Sequence, residues 1–287
     1  MTNTTNTNAT INHANAQEEM TMTIRQYAEE IARNIKGAEV RYVEKANGVI
    51  LTGVLMPLKD TEKGNNRVSA NFYVDDLYRD GVSIEDATRK AQAFLEKETP
   101  AFDLEWIMDF ENVKPHLRAR LYNKATRAEV QTSAEKYGFS DLIIVPYIDE
   151  VIKDGSVKVT NSLVKTWDVD PQEVIEIAEE NSRKCAVIKD MNEMMFGFAP
   201  AGMPKMLVVM NDNIGMYGAY AVIPKMDALY KEFPNGFVVL PSSVHEVIVV
   251  DINEKGAEEL TAMVQGVNAT EVSLEEQLSD HAYTFCA

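Results

Sequence analysis

Cysteine is nearly missing from this chain: among 287 residues only Cys185 and Cys286 are present. A disulfide framework of the kind that staples small secreted domains is excluded, and a reducing, cytoplasmic setting is the simplest expectation. No stretch reaches the eighteen or so consecutive apolar residues that a membrane-spanning helix needs. The opening MTNTTNTNATINHANAQEEM also lacks the charged start and apolar centre of a signal peptide. Positive charge is short as well: 28 Lys and Arg stand against 45 Asp and Glu, a formal net charge of −17. Such a chain repels phosphate backbones and anionic lipid surfaces, so neither nucleic acid nor membrane is an expected partner. Histidine is limited to four residues, and no metal or other cofactor is expected.

What is present suffices for folding, since 45% hydrophobic residues over this length can build one large core or two ordinary ones. Residues 1–21, dominated by Asn and Thr, offer little apolar surface against the entropy of ordering and are expected to form a disordered tail. Residues 22–105 are expected to form a small α-β-β-β-α unit. Thr23 and Gln26 supply a capping box, and Tyr27, Ala28, Ile31 and Ile35 recur at helical spacing. Asn47-Gly48 separates two β-rich runs, a hairpin signal, and NRVSANFYV holds a third strand. Ser83 then caps a helix whose buried face is Ala87, Ala91, Phe94 and Leu95. Double-stranded RNA-binding domains share this order, but here the second helix opens with Glu85 and Asp86, where phosphate contacts would demand cations.

Residues 106–287 are expected to form a larger α+β domain. DLIIVPYI reads as a strand, with another around Val157–Val159. In WDVDPQEVIEIAEEN, Asp170 is the N-cap, Pro171 the first helical residue, Glu173 the partner in a capping box, and Val169 a staple onto Val174. Strands follow around Ala186 and in MLVVM, AYAVI, FVVL and VIVV, with a short helix at Met226–Tyr230 and a longer one carrying Ala257, Leu260, Val264 and Val267. The fold class expected is α+β, with mixed, mostly antiparallel sheets packed by helices.

Candidate sites are few. In PNGFVVLPSSVHEVIVVDINEKG, His245 and Glu246 resemble the start of a zinc motif, but the residue four beyond His245 is Val249, not a second His. The β-branched VIVV makes the segment extended, so His245 and Glu246 should project to opposite faces at the start of a strand. Ser242 and Ser243 lie beside His245 without the G-x-S-x-G elbow of a hydrolase. Cys185 precedes apolar residues and reads as a small buried hydrophobe. NDNIGMYGAY lacks the calcium-loop spacing, and its glycines join two strand-like runs, so a hairpin turn is expected. Lys114, Arg118, Arg120, Lys124 and Arg127, with His116 among them, form the one basic cluster; on a helix, Arg120, Lys124 and Arg127 would line up as an anion-holding stripe or a solvated face. Eight of fourteen Met residues fall between Met191 and Met226, either as core filler or as an adaptable protein-binding surface.

The blocks NGVILTGV, VTNSLVKTWDVDPQEVIEIAEEN, LPSSVHEVIVV and VNATEVSLEEQLSDHAYTF occur in an order that resembles the uncharacterised domain-of-unknown-function 5688 family of anaerobic Firmicutes. The resemblance spans roughly residues 23 to 285 and implies a continuous fold in an intracellular bacterial setting, with no catalytic or binding residue to carry over. The residues themselves favour a non-enzymatic, intracellular protein that binds another protein, with no catalytic residue and no metal site. The alternative is a small-ligand-binding protein or hydrolase with His245, Glu246, Arg120, Lys124 and Arg127 at its site. Deletion of residues 1–20 is expected to leave the melting temperature nearly unchanged in a thermal scan.

Overall fold

Helix starts follow the local chemistry of the chain. In the computed structural model, which describes residues 22–57, 69–96, 104–152, 155–198, 202–212 and 216–287, the hydroxyl of Thr23 accepts the Gln26 amide and the Gln26 side chain accepts the Thr23 amide at 2.8 Å. This reciprocal cap opens α1 (Ile24–Arg33), which buries Tyr27, Ala28, Ile31 and Ala32. The expected N-terminal tail lies outside the described residues. The chain divides into two compact units, the first holding the described residues up to Lys45 and from Ile50 to Glu96, the second Ala46–Val49 and the described residues from Leu104 onward.

In the first unit β1 (Glu39–Glu44), β2 (Ile50–Pro57) and β3 (Ser69–Tyr73) form an antiparallel sheet in that order. Helices α2 (Asp75–Arg79) and α3 (Ile84–Glu96) follow, and the Ser83 hydroxyl accepts the Asp86 amide at 3.1 Å to start α3. Ile31, Val54, Met56, Ala87 and Ala91 meet in one core. Phe94, expected in the buried face of α3, is instead 44% exposed, its ring lying on Phe72 at the margin of that core.

In the second unit α4 (Leu104–Met108) and α5 (Phe110–Val113) precede β4 (Leu117–Asn123). The stripe Arg120, Lys124 and Arg127 expected on a helix is therefore not formed. Pro115 withholds an N–H and disfavours helix before it, while Leu117, Ala119 and Leu121 alternate with Arg118, Arg120 and Tyr122 at the period of a strand. Pairing settles the ambiguity, because all seven residues of β4 align with β6 (Leu142–Ile152). β5 (Thr132–Ser133) and β7 (Gly155–Lys158) complete this antiparallel sheet, and α6 (Asn161–Trp167) and α7 (Pro171–Cys185) follow. Asp170 caps α7 with Pro171 in its first turn, accepting the Gln172 amide at 2.7 Å rather than that of Glu173.

A second sheet contains β8 (Ala186–Asp190), β9 (Met206–Asn211), β10 (Gly236–Leu240), β11 (Val247–Asp251) and β12 (Tyr283–Cys286), in the order β12-β10-β11-β9-β8, with every pairing antiparallel. Helices α8 (Met191–Phe196), α9 (Val222–Glu232) and α10 (Ala257–Thr270) accompany it. The architecture is α+β. AYAVI, expected as a strand, is a 3-10 turn at Ala219–Ala221 running into α9. Val222, Met226, Leu229 and Tyr230 recur at helical spacing against the core, and Pro224 falls in the first turn, where a missing N–H leaves no bond unmade. Burial of that face outweighs the strand preference of Val222 and Ile223.

β12 is held by chemistry remote in sequence. Asp141 accepts the hydroxyl of Tyr283 and, at 3.0 Å, that of Ser279. Gly236 has φ 113°, and a Cβ there would lie 2.4 Å from the carbonyl oxygen of Phe285, so only glycine permits the close approach of β10 to β12. Among the described residues no helix is long and apolar enough to cross a membrane. Replacing Asp170 with Ala is expected to lower unfolding free energy by about 1 kcal/mol, read from the urea midpoint, with the native far-UV spectrum retained.

Candidate functional site

Strand alternation puts Arg118 and Arg120 on one face of β4, and pairing of Arg120 with Val145 and of Arg118 with Tyr147 puts Tyr147 and Asp149 on the matching face of β6. The register between β6 and β7 shifts just after Asp149, a bulge of the kind that redirects a side chain. Arg120 is 5% exposed, and its Nη2 donates to Oδ1 of Asp149 at 2.5 Å. Its guanidinium lies between two aromatic rings, 4.1 Å from the centroid of Tyr147 and 3.8 Å from that of Tyr217. Stacking of this kind contributes about 0.5–2 kcal/mol per ring and leaves the in-plane N–H groups free for acceptors. Among the described residues Nε of Arg120 has no such acceptor. In a buried group that donor carries a real desolvation cost, of about 1–3 kcal/mol.

Beside this pair is a partly enclosed cavity of about 30 Å³, room for about two waters or one small ion. Arg118, Arg120 and Asp149 bring two positive charges and one negative to its wall. Arg118 is half-buried and spends one nitrogen on the carbonyls of Pro115 and Leu117. From α7, Ser182 accepts the Ala119 amide at 2.8 Å, fixing the helix end that carries Cys185 to the strand that carries the arginines. Burial pushes the phenols of Tyr147 and Tyr217 upward, against the opposing pull of Arg120, so both rings are neutral O–H groups at neutral pH.

Tyr217, Gly218 and Asn211 also line the cavity, and His245, which is not itself in the lining, bonds to the first two. Tyr217 has φ 55°, a left-handed conformation that costs a residue of its size about 1–3 kcal/mol. Among the described residues three contacts hold it. The Tyr217 amide donates to Nδ1 of His245 at 3.1 Å, the Gly218 amide donates to the His245 carbonyl at 2.7 Å, and Asn211 donates to the Met216 carbonyl at 2.9 Å. A Cβ at Gly218 would sit 2.6 Å from the Asn211 amide nitrogen and 2.7 Å from the His245 oxygen, so the loop closes only with glycine. Because Nδ1 accepts, the proton of neutral His245 is on Nε2, which faces Oε1 of Glu276 at 3.3 Å. The Gly218 and Ala219 amides, which open the turn into α9, are spent on the carbonyls of His245 and Val244 and are closed to an anion.

Of the residues singled out from sequence, Arg120 and His245 are brought together, joined through Tyr217. Glu246, immediately before β11, is half-buried and its carboxyl is pushed upward by burial, with His245 opposing; it is not in the cavity wall. Lys124 and Arg127 are on the exposed turn after β4, and Lys124 donates to the Ser140 carbonyl at 3.2 Å. Ser243 accepts the backbone amide of His245, a local turn rather than a nucleophile presented to a base. Ser279, His281 and Asp141 have the composition of a triad, and the Ser279 hydroxyl lies 3.0 Å from Asp141 and 3.1 Å from Nδ1 of His281, yet Ser279 is 3% exposed and so not presented to a substrate. Among the described residues no group of three or more His, Cys, Asp or Glu could hold a metal ion. Sequence reasoning missed Tyr147, Asp149, Tyr217 and Glu276; the usable signal was an acidic residue closing the apolar run LIIVPYID.

The pair predicts its own energetics. Arg120→Met alone should cost about 3–5 kcal/mol by leaving the Asp149 carboxylate buried and unpaired, and Arg120→Met with Asp149→Leu should recover most of that loss in chemical denaturation. A double-variant cost equal to the sum of the separate costs of Arg120→Met and Asp149→Leu would show that the two side chains are not coupled.

No curated protein and no solved structure matches this chain. The profile of a family of unknown function matches residues 15–287, which takes in both arginines, both stacking tyrosines and the His245 segment. The chain belongs to that family, DUF5688.

Proposed function

We propose that this is a non-enzymatic binding protein whose ligand is a small carboxylate-like anion held in the Arg120 cavity. The observation that carries this reading is the buried guanidinium, whose Nε–H meets no acceptor among the described residues, in the wall of a cavity sized for a small ion. The local excess of one positive charge supports it in a chain that is otherwise acidic, since an anion would balance the second arginine. Both nitrogens of His245 are engaged, one by an amide and one by a carboxylate, which suits a residue that holds geometry better than one that moves a proton. Titration calorimetry with acetate, bicarbonate and phosphate at constant ionic strength tests the reading. One-site binding of acetate or bicarbonate is expected, weakened about tenfold in Arg118→Met, a half-buried change that leaves the Asp149 pair intact. No saturable heat from any of the three below about 10 mM would overturn it.

A second reading, in which the chain binds another protein, has its own support. Among the described residues thirteen large hydrophobics are exposed, and six of them, Met194, Met195, Phe196, Phe198, Met203 and Met216, fall in one short stretch of chain. Flexible thioethers beside phenyl rings suit an apolar partner segment. A Met195→Glu, Phe198→Glu variant should lose a partner that copurifies with the native protein while keeping its melting temperature and any anion affinity. Retention of the same partner would contradict this reading.

A further inference from the structure

We infer that His245 is a positioning residue that sets the anion cavity through Tyr217, and that its protonation releases the cavity wall. The inference rests on the proposed anion site for its ligand readout, but its geometry stands by itself.

Neutral His245 is an acceptor at Nδ1 and a donor at Nε2, and both roles are used: Nδ1 takes the Tyr217 amide at 3.1 Å, and Nε2 faces Glu276 at 3.3 Å. The Tyr217 amide belongs to a residue at φ 55°, a conformation that persists only while its surroundings enforce it. The ring of that residue lies 3.8 Å over the Arg120 guanidinium. A continuous line therefore runs from Glu276 through the imidazole and the Tyr217 backbone to the Tyr217 ring and Arg120. A proton added at Nδ1 turns the acceptor into a donor, so an N–H would then point at an N–H. The Tyr217 bond is lost, the strained residue relaxes, and the ring leaves the guanidinium. The groups that face the imidazole among the described residues are the carboxylate of Glu276, the half-buried Glu246 next to it in the chain, and the Tyr217 ring, whose centroid is 5.2 Å away, with Arg120 behind it. The side chain of His245 is 19% exposed, so bulk solvent can supply the proton.

The sign follows from the bond. Anion affinity and protection of the Tyr217 amide should both be high where His245 is neutral and fall together as acid protonates it. His245→Asn places Oδ1 where Nδ1 stands and accepts at every pH; His245→Leu accepts at none.

The test uses the full chain labelled with 15N, in wild-type, His245→Asn and His245→Leu forms, over a descending pH range in which the native far-UV spectrum is retained. Two quantities are read: the hydrogen-exchange protection factor of the Tyr217 amide without ligand, and the affinity for acetate. In wild type both should fall about tenfold across the range; in His245→Asn both should remain high and flat, and in His245→Leu both should be low and flat. Rescue by Asn separates positioning of Tyr217 from general destabilisation, which Asn and Leu would share. If acetate fails to bind while Tyr217 protection follows this pattern, the anion site fails and the positioning role stands. If acetate binds but wild-type protection is independent of pH, or if Asn behaves as Leu does, the positioning role is overturned.

Discussion

A guanidinium cannot be taken out of water without an answering charge, and the second unit of this protein is arranged around meeting that demand at Arg120. Asp149 neutralises it, Tyr147 and Tyr217 cover its two faces, and β4 and β6 hold all but one of these groups in register. The pair is weak evidence for stability in itself, because desolvation offsets much of the attraction, and apolar residues of similar volume would serve the core as well. Buried polar atoms without a partner among the described residues also occur at Asn71, Thr88 and Asn268; what distinguishes Arg120 is that its unpaired donor belongs to a charged group and that space for a small ion adjoins it. A purely structural pair would be expected to use every donor, which is why the cavity rather than the sheet is read as the functional feature.

The same region shows how a short loop can be held under strain. Tyr217 occupies a backbone conformation suited to glycine, and the residue after it must be glycine for want of space, with contacts from His245 and Asn211 holding the loop. His245 drew notice in the sequence as the start of a metal motif. Its place here is different: it gives its ring nitrogen and its carbonyl to successive amides, and so acts on Arg120 without touching it.

Much of the fold was legible because its signals are local. The Thr23–Gln26 box, the Asp170-Pro171 start and the β-rich apolar runs FVVL and VIVV each depend on neighbours within a turn or a strand, and each element begins close to where those residues place it. Segments 117–123 and 219–232 were misread for opposite reasons. Leu117 and Leu121 fit both a helix and a strand, and only pairing with β6 decides; Val222 and Ile223 favour strands by type, while the spacing to Met226 and Leu229 is helical. The candidate site was half visible. Arg120 and His245 stood out as scarce charges and imidazoles, but Tyr147, Asp149 and Tyr217 become partners only through contacts between residues about 30 to 100 positions apart, which no local pattern encodes.

The central claim is that the Arg120 guanidinium is buried against two tyrosine rings, its Nε–H meeting no acceptor among the described residues, in the wall of a cavity that could take a small anion. The 15N–1H resonance of that Nε–H tests it most directly. The account predicts a slowly exchanging signal whose proton is shifted upfield by the two rings, and which moves downfield in a saturable way as acetate is added. A rapidly exchanging signal at the position of a solvated arginine, unmoved by acetate, would contradict it.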